Sequence, residues 1–178
     1  RQTDRLNAII EDLLALSRLE RDAETEGIDL AVERLLPIFE AALQSCSTAA
    51  ETKKVEVRLF CSNDLVARAN APLLEQAVVN LLDNAIKYSG AGGIVTIEGW
   101  QEADQVKIKV QDRGQGIPKS HLPRLFERFY RVDAARSRAA GGTGLGLAIV
   151  KHIVQAHKGD VTVHSVPEEG SVFTMSLP

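Results

Sequence analysis

Asn80-Leu81-Leu82-Asp83-Asn84-Ala85-Ile86-Lys87-Tyr88 is a helix whose two sides carry different chemistry. Asn80, Asn84, Lys87 and Tyr88 follow one another by four, three and one residues, so they line one face. Leu81, Leu82 and Ile86 point elsewhere, into a core. Two amide oxygens one turn apart suit a hard cation such as Mg²⁺, which takes oxygen ligands and keeps some water. Lys87 adds a mobile positive charge for phosphate, and Tyr88 a flat face for a base. Taken singly, each of these residues reads equally well as part of a solvated polar stripe.

Three further blocks lie downstream. Asp112-Arg113-Gly114-Gln115-Gly116-Ile117 directly follows a strand pattern. A carboxylate there accepts a hydrogen bond from an amino group, and the spaced glycines let backbone approach a ligand closely. Alone the pattern is weak, since a turn explains a glycine pair too. Gly141-Gly142-Thr143-Gly144-Leu145-Gly146-Leu147 opens a helix, where unobstructed backbone N–H groups form an anion site. It is not a P-loop, because no Lys-Ser/Thr follows the glycines, and it follows no strand as a dinucleotide fingerprint does. Between these blocks runs Leu125-Phe126-Glu127-Arg128-Phe129-Tyr130-Arg131, within a span, 119–138, whose Lys, Arg, Asp and Glu sum to a net +4. A basic segment in an acidic chain points to a local polyanion. The length and glycine content of 113–142 suggest a lid over a site, mobile from about Lys119 to Gly141 without ligand.

Working outward, Leu6, Ile9, Ile10, Leu13 and Leu16 recur at helical spacing, predicting an amphipathic helix over 3–22. Leu6, Ile9, Leu13 and Leu16 fit a heptad seam too short to hold a coiled coil alone, so the helix wants partner helices. Residues 21–27 read as a hinge. A helix is expected over 30–52, then strands at 55–59 and 65–69, a helix over 72–88 with Pro72 in its first turn, strands at 94–100 and 106–110, a helix over 143–157, and strands at 159–164 and 171–177. This order predicts an α/β sandwich: a mixed sheet with helices on one face, preceded by an amphipathic helix.

With 178 residues, 44% hydrophobic and 25% charged, the chain has material for one domain and an appendage. The net charge of −3 gives no reason to expect a nucleic-acid partner. Cys46 and Cys61 lack metal-ligand or redox spacing. No apolar run nears the roughly 18 residues of a membrane span. Arg1 falls inside a helical pattern already under way, so further chain is expected upstream.

In this order, NLLDNAIKY, DRGQGI, LFERFYRVD and GGTGLGLAIVK resemble the N box, first Gly box, Phe box and second Gly box of the sensor histidine kinases of two-component systems. Residues 3–22 resemble the second helix of that family's dimerisation and phosphotransfer hairpin. The likeness is nearest to the class that includes the phosphate-sensing kinases. It implies the two-layer Bergerat fold of the gyrase, heat-shock chaperone and mismatch-repair ATPases, with 1–26 as partial hairpin and hinge and 27–178 as the catalytic domain.

The resemblance further implies ATP and Mg²⁺. Asn80 would ligate the metal, with Asn84 beside it. Lys87 would touch phosphate, Tyr88 would flank the nucleoside, and Asp112 would read the adenine amino group. Gly114, Gly116 and Ile117 would shape the base pocket, and Tyr130 would belong to the nucleotide site. Arg128 or Arg131 would meet the γ-phosphate, while Thr143, Gly144, Leu145, Gly146 and Leu147 would cradle phosphates. Where many relatives carry Asp, this chain has Asn70, a change expected to matter little.

A homodimer through the hairpin helices, a response regulator as partner, and a cytoplasmic place in a membrane-anchored bacterial kinase are implied as well. The acceptor is what this sequence lacks. His121, His152, His157 and His164 all stand outside the family's acceptor context and read as surface or packing residues. The acceptor is therefore expected upstream of Arg1. Two other readings stand beside this one. A hydrolysing ATPase of the superfamily needs a glutamate where Asn80 stands, and Asn80 cannot act as a base. A nucleotide-independent dimerisation scaffold would have no use for four intact boxes.

Overall fold

The computed structural model describes residues 6–7, 9–14, 16–17, 27–132 and 142–178. Most of the hinge, and Asp133, Arg136, Arg138 and Gly141 of the basic and glycine-rich segments, lie outside the described residues.

Five strands make the main sheet, in the order β2-β4-β5-β7-β6: β2 (Glu56–Cys61), β4 (Ile94–Glu102), β5 (Gln105–Asp112), β6 (Asp160–Val166) and β7 (Gly170–Leu177). β2 runs parallel to β4 and every other pair is antiparallel, so the sheet is mixed. Alternation decides its faces. Val106, Ile108, Val110 and Asp112 of β5 are buried, whereas Lys107, Lys109 and Gln111 between them are partly exposed on the other side. Three helices cover the buried face: α1 (Leu35–Lys53), α2 (Ala71–Tyr88) and α3 (Gly146–Ala156), with α2 packed against both others. This is the expected two-layer sandwich.

α2 buries Leu74, Ala77, Val78, Leu81, Leu82, Ala85 and Ile86, which leaves its polar stripe at the edge of the layer. Asn70 caps its start: the side-chain oxygen accepts from the Leu73 N–H at 3.2 Å. The Asn70 amide also donates to the Asp29 carbonyl at 3.2 Å, a bond an aspartate there could not make. Asn70 thus keeps the cap and adds a tie to the incoming chain.

The sequence expectation fails at the front of α1. Residues 30–34 are not helical; β1 (Ala31–Arg34) pairs antiparallel with β3 (Val66–Ala69) in a separate two-stranded sheet. Pro37 explains the boundary. A helix begun at Leu30 would place it in the interior, where it lacks an N–H and collides with the preceding turn. Begun at Leu35, the helix holds Pro37 in its first turn. The start of α3 also shifts, from Thr143 to Gly146, so residues 142–145 remain a loop.

Lys119–Arg124 forms a 3-10 helix, and Leu125 behind it is buried. Phe126 meets the Phe173 ring edge-on at 6.4 Å between centroids. The front of the expected mobile lid is therefore anchored to the body. Residues 9–14 and 16–17 are helical, as are 6–7. Of the expected seam, Leu16 is buried at 1% exposure, whereas Leu6 is 59% exposed. Among the described residues no helix is long and apolar enough to cross a membrane.

Candidate functional site

Where α2 ends, β5 ends and α3 begins, the two layers leave a cavity of about 920 Å³. That falls within the range of roughly 300–1,000 Å³ typical of small-molecule sites. Asn80, Asn84, Lys87 and Tyr88 all line it, as their spacing requires. So do Asp112, Gly114, Gly116 and Ile117 from the strand end, and Tyr130 and Arg131 from the lid segment. Thr143, Gly144, Gly146 and Leu147 close the far wall. Two expected residues stand apart. Leu145 is wholly buried in the core, and Arg128 is not part of the lining; its charge acts on His152 of α3. Arg131 rather than Arg128 reaches the cavity.

One end of the cavity is built to accept protons. Asp112 is buried, and burial pushes its carboxyl above the usual carboxylate range; backbone N–H groups of Gly114 and Ser171 pull it back down. The Gly114 bond is 2.8 Å long. A Cβ on Gly114 would collide with the Tyr88 carbonyl, so only glycine lets the loop close on the end of α2. Gly116 has φ +64 and abuts the Val166 carbonyl, which again excludes a side chain.

The other end is cationic. The Lys87 ammonium and the Arg131 guanidinium meet at Gly142, whose carbonyl accepts a hydrogen bond from Arg131. Burial lowers the Lys87 pKa; Asp83 opposes this, and Arg131 and Lys53 reinforce it. Gly144, at φ +80, accepts from the Phe129 N–H at 2.9 Å, locking the lid segment to the glycine loop. Asn80 lines the same cavity, beside Gly146. Its side-chain nitrogen is buried with no hydrogen-bond partner. Its oxygen would lie 3.4 Å from a Cβ at Gly146, so glycine keeps that oxygen uncovered.

Several lining residues escaped sequence reasoning. Ser171 faces Asp112 in the β5–β7 register, a relation visible only once the strands are paired. Asp12 reaches the cavity from the N-terminal helix, where its Oδ2 accepts a hydrogen bond from the Thr143 hydroxyl at 2.7 Å. Burial raises the Asp12 pKa and the Thr143 bond lowers it, with the Glu11 charge adding to the rise. No local pattern announces either contact.

Two of the histidines make packing contacts. His157 is buried, donating from Nδ1 to the Ile153 carbonyl at 2.7 Å and accepting the Asn70 N–H at Nε2 at 3.0 Å. Both nitrogens are committed, and burial lowers its pKa, so it stays a neutral tie between α3 and the α2 cap. His121 Nδ1 lies 2.6 Å from the Tyr130 hydroxyl.

The chain is 40% identical over 178 residues to the sensor-like histidine kinase SenX3 of Mycobacterium tuberculosis, an alignment covering 99% of this chain and 43% of that protein. It is 37% identical to the phosphate regulon sensor protein PhoR of Pseudomonas aeruginosa, covering 97% and 39%. The chain thus spans less than half the length of these relatives. Among solved structures, full-length ShkA in complex with AMPPNP superposes with a TM-score of 0.82 at 27% identity, covering 98% of this chain and 36% of that one. Residues 69–178, which hold all four boxes, match the model of the histidine kinase-, DNA gyrase B- and HSP90-like ATPases, and the chain belongs to that family.

Proposed function

We propose that this chain is the ATP-binding catalytic part of a two-component sensor histidine kinase, which transfers the ATP γ-phosphoryl group to a histidine on a hairpin helix outside this sequence. The observation that carries the reading is the polarity of the cavity. An acceptor-only end at Asp112 suits the adenine amino group, and a cationic end at Lys87 and Arg131 suits a triphosphate. Residues 27–178 are read as the catalytic domain and 1–26 as the second hairpin helix and hinge. The exposed Leu6, Leu13 and Leu14 support that, since a bundle seam needs partner helices to cover it. In the intact protein the hairpin would dimerise, and the phosphoryl group would pass on to a response-regulator aspartate. A cytoplasmic place beside a membrane anchor is part of the same reading.

The residues fit a divalent cation. Among the described residues no cluster of His, Cys, Asp or Glu could hold one by itself. Mg²⁺ instead commonly takes one or two protein oxygens together with phosphate and water. Asn80, a lining residue, would hold it through its side-chain oxygen, beside which Gly146 carries no Cβ. The ion, when bound, screens charge on the phosphate oxygens. The protein's own part is placement. Asp112 orients the base, the glycine loop from Gly142 to Gly146 offers backbone N–H groups, and Lys87 and Arg131 hold the phosphate end.

Calorimetric titration should show ATP binding that strengthens with Mg²⁺. Incubation with radiolabelled ATP should leave no acid-labile phosphate on this chain, while a separate hairpin bearing an acceptor histidine should become labelled. No binding of ATP in either condition, or labelled His121, His152, His157 or His164, would refute the proposal.

A further inference from the structure

Behind Asp112 lies a pair of buried hydroxyls that the proposed chemistry does not use. Ser165 of β6 and Ser171 of β7 are register partners, 3% and 6% exposed, with their oxygens 2.9 Å apart. Ser165 has two further contacts. Its Oγ accepts the Ile117 N–H at 2.8 Å, and it lies 2.8 Å from the Gly170 carbonyl.

A hydroxyl has one proton to give and two lone pairs to receive. The Gly170 carbonyl can only accept, so that contact is a hydrogen bond only if Ser165 donates its single proton there. Ile117 donates to one lone pair of Ser165. The remaining contact, with Ser171, must then be made by the Ser171 proton. Any other assignment leaves the Gly170 oxygen facing a Ser165 lone pair at 2.8 Å, a buried repulsion. The Ser171 proton is therefore directed away from the cavity, which Ser171 lines. The Ser171 N–H is in turn engaged by the Asp112 carboxylate, as is the Gly114 N–H. At this end, Asp112 and the Ser171 hydroxyl together offer lone pairs and no proton.

We propose that Ser165, which touches no ligand, is a specificity-determining positioning residue: by holding the Ser171 hydroxyl as an acceptor it makes this end of the cavity favour a purine with a 6-amino group over one with a 6-oxo group. The proposal rests on the reading of the cavity as a nucleotide site. A 6-amino group donates into the paired acceptors, whereas a 6-oxo group would bring a third acceptor against them. Without Ser165, the Ser171 hydroxyl is free to rotate and donate, and the penalty on the 6-oxo purine falls.

ATP and ITP differ in this substituent, and their dissociation constants on the full 178-residue chain, measured by calorimetry, supply the test. The parent should prefer ATP. Ser165→Ala should narrow that preference about tenfold, mainly through tighter ITP binding, because one hydrogen bond replaces one repulsive contact. Ser165→Thr keeps the hydroxyl and should retain the parent ratio. Ser171→Ala, which removes the acceptor and leaves Ser165 in place, should weaken ATP and tighten ITP modestly, since a repulsive contact is lost without a hydrogen bond replacing it. A merely structural serine would lower the melting temperature and weaken both nucleotides alike. The parent's ATP/ITP ratio in Ser165→Ala or in Ser171→Ala, or a ratio in Ser165→Thr as narrow as in the alanine variant, would overturn the inference. A parent that binds neither nucleotide would instead refute the nucleotide site itself.

Discussion

Asn80→Ala separates function from stability in an unusual direction. Replacing a buried polar residue normally destabilises, because it breaks hydrogen bonds and leaves partners unmet. The Asn80 amide nitrogen has no partner to lose. A buried, unsatisfied polar group costs about 1–3 kcal/mol, which the alanine relieves. Against this stands the lost packing of three side-chain atoms beside Gly146, about 1 kcal/mol at 0.1–0.2 kcal/mol per atom pair. The variant should therefore unfold within about 1 kcal/mol of the parent, on either side, in urea denaturation. Nucleotide affinity should behave differently. An interaction with a charged partner is worth about 1.5–3 kcal/mol, so ATP binding in Mg²⁺ should weaken roughly ten- to a hundredfold. In excess chelator the two proteins should bind alike. A loss of more than about 2 kcal/mol in stability, beyond the full packing term, or an equal loss of affinity with and without Mg²⁺, would refute the reasoning.

Asp112 has its pKa raised in the fold, so stability from its protonation is fully present below the unfolded value near 3.8 and fades as pH rises through the folded one. The ionised carboxylate thus opposes folding at neutral pH; Asp112→Asn should gain stability relative to the parent from about pH 4 upward, reach a plateau, and bind ATP more weakly. A stability difference that does not change with pH would contradict this. Asp12 sets a carboxylate in the cavity beside Thr143, so on the proposed nucleotide reading Asp12→Ala should tighten ATP about three- to tenfold, most at low salt; unchanged affinity by calorimetry would count against a phosphate near Asp12. Arg131→Ala should weaken ATP more than AMP, whereas Arg128→Ala should leave both near the parent; the reverse ranking would move the phosphate end of the site.

What sequence reveals depends on the range of the interaction. The α2 face was legible because Asn80, Asn84 and Lys87 are related by a helix period that needs nothing else to be known. The main strands were legible because Val106, Ile108 and Val110 alternate with lysines and glutamine. β1 was not, since Ala31-Val32-Glu33-Arg34 is too short and too exposed to alternate, although Pro37 carried a usable signal. The choice between Arg128 and Arg131 was beyond reach. Phe129 between them has φ +61, so the chain turns there and no spacing rule says which side chain faces inward. Ser171 and Asp12 enter the site, and Ser165 reaches Ser171, through strand pairing and helix docking, relations that leave no local trace.

Three unfavourable features of this fold share one place. The unpartnered Asn80 amide, the buried Asp112 carboxylate and the depressed Lys87 ammonium all border one cavity. Each calls for a different complement: a hydrogen-bond acceptor for the amide nitrogen, a proton donor for the carboxylate, an anion for the ammonium. Three separate small ligands could meet these needs, but the cavity is continuous, and one molecule spanning it needs only one loss of translational freedom. A purine with an exocyclic amino group at one end and metal-bound phosphates at the other supplies all three. Features that oppose folding persist where a ligand relieves them, so their convergence is itself an argument for the nucleotide. The same argument orders the ligands: ADP should raise the melting temperature more than adenosine or pyrophosphate at equal concentration, because only the joined molecule meets both ends at once.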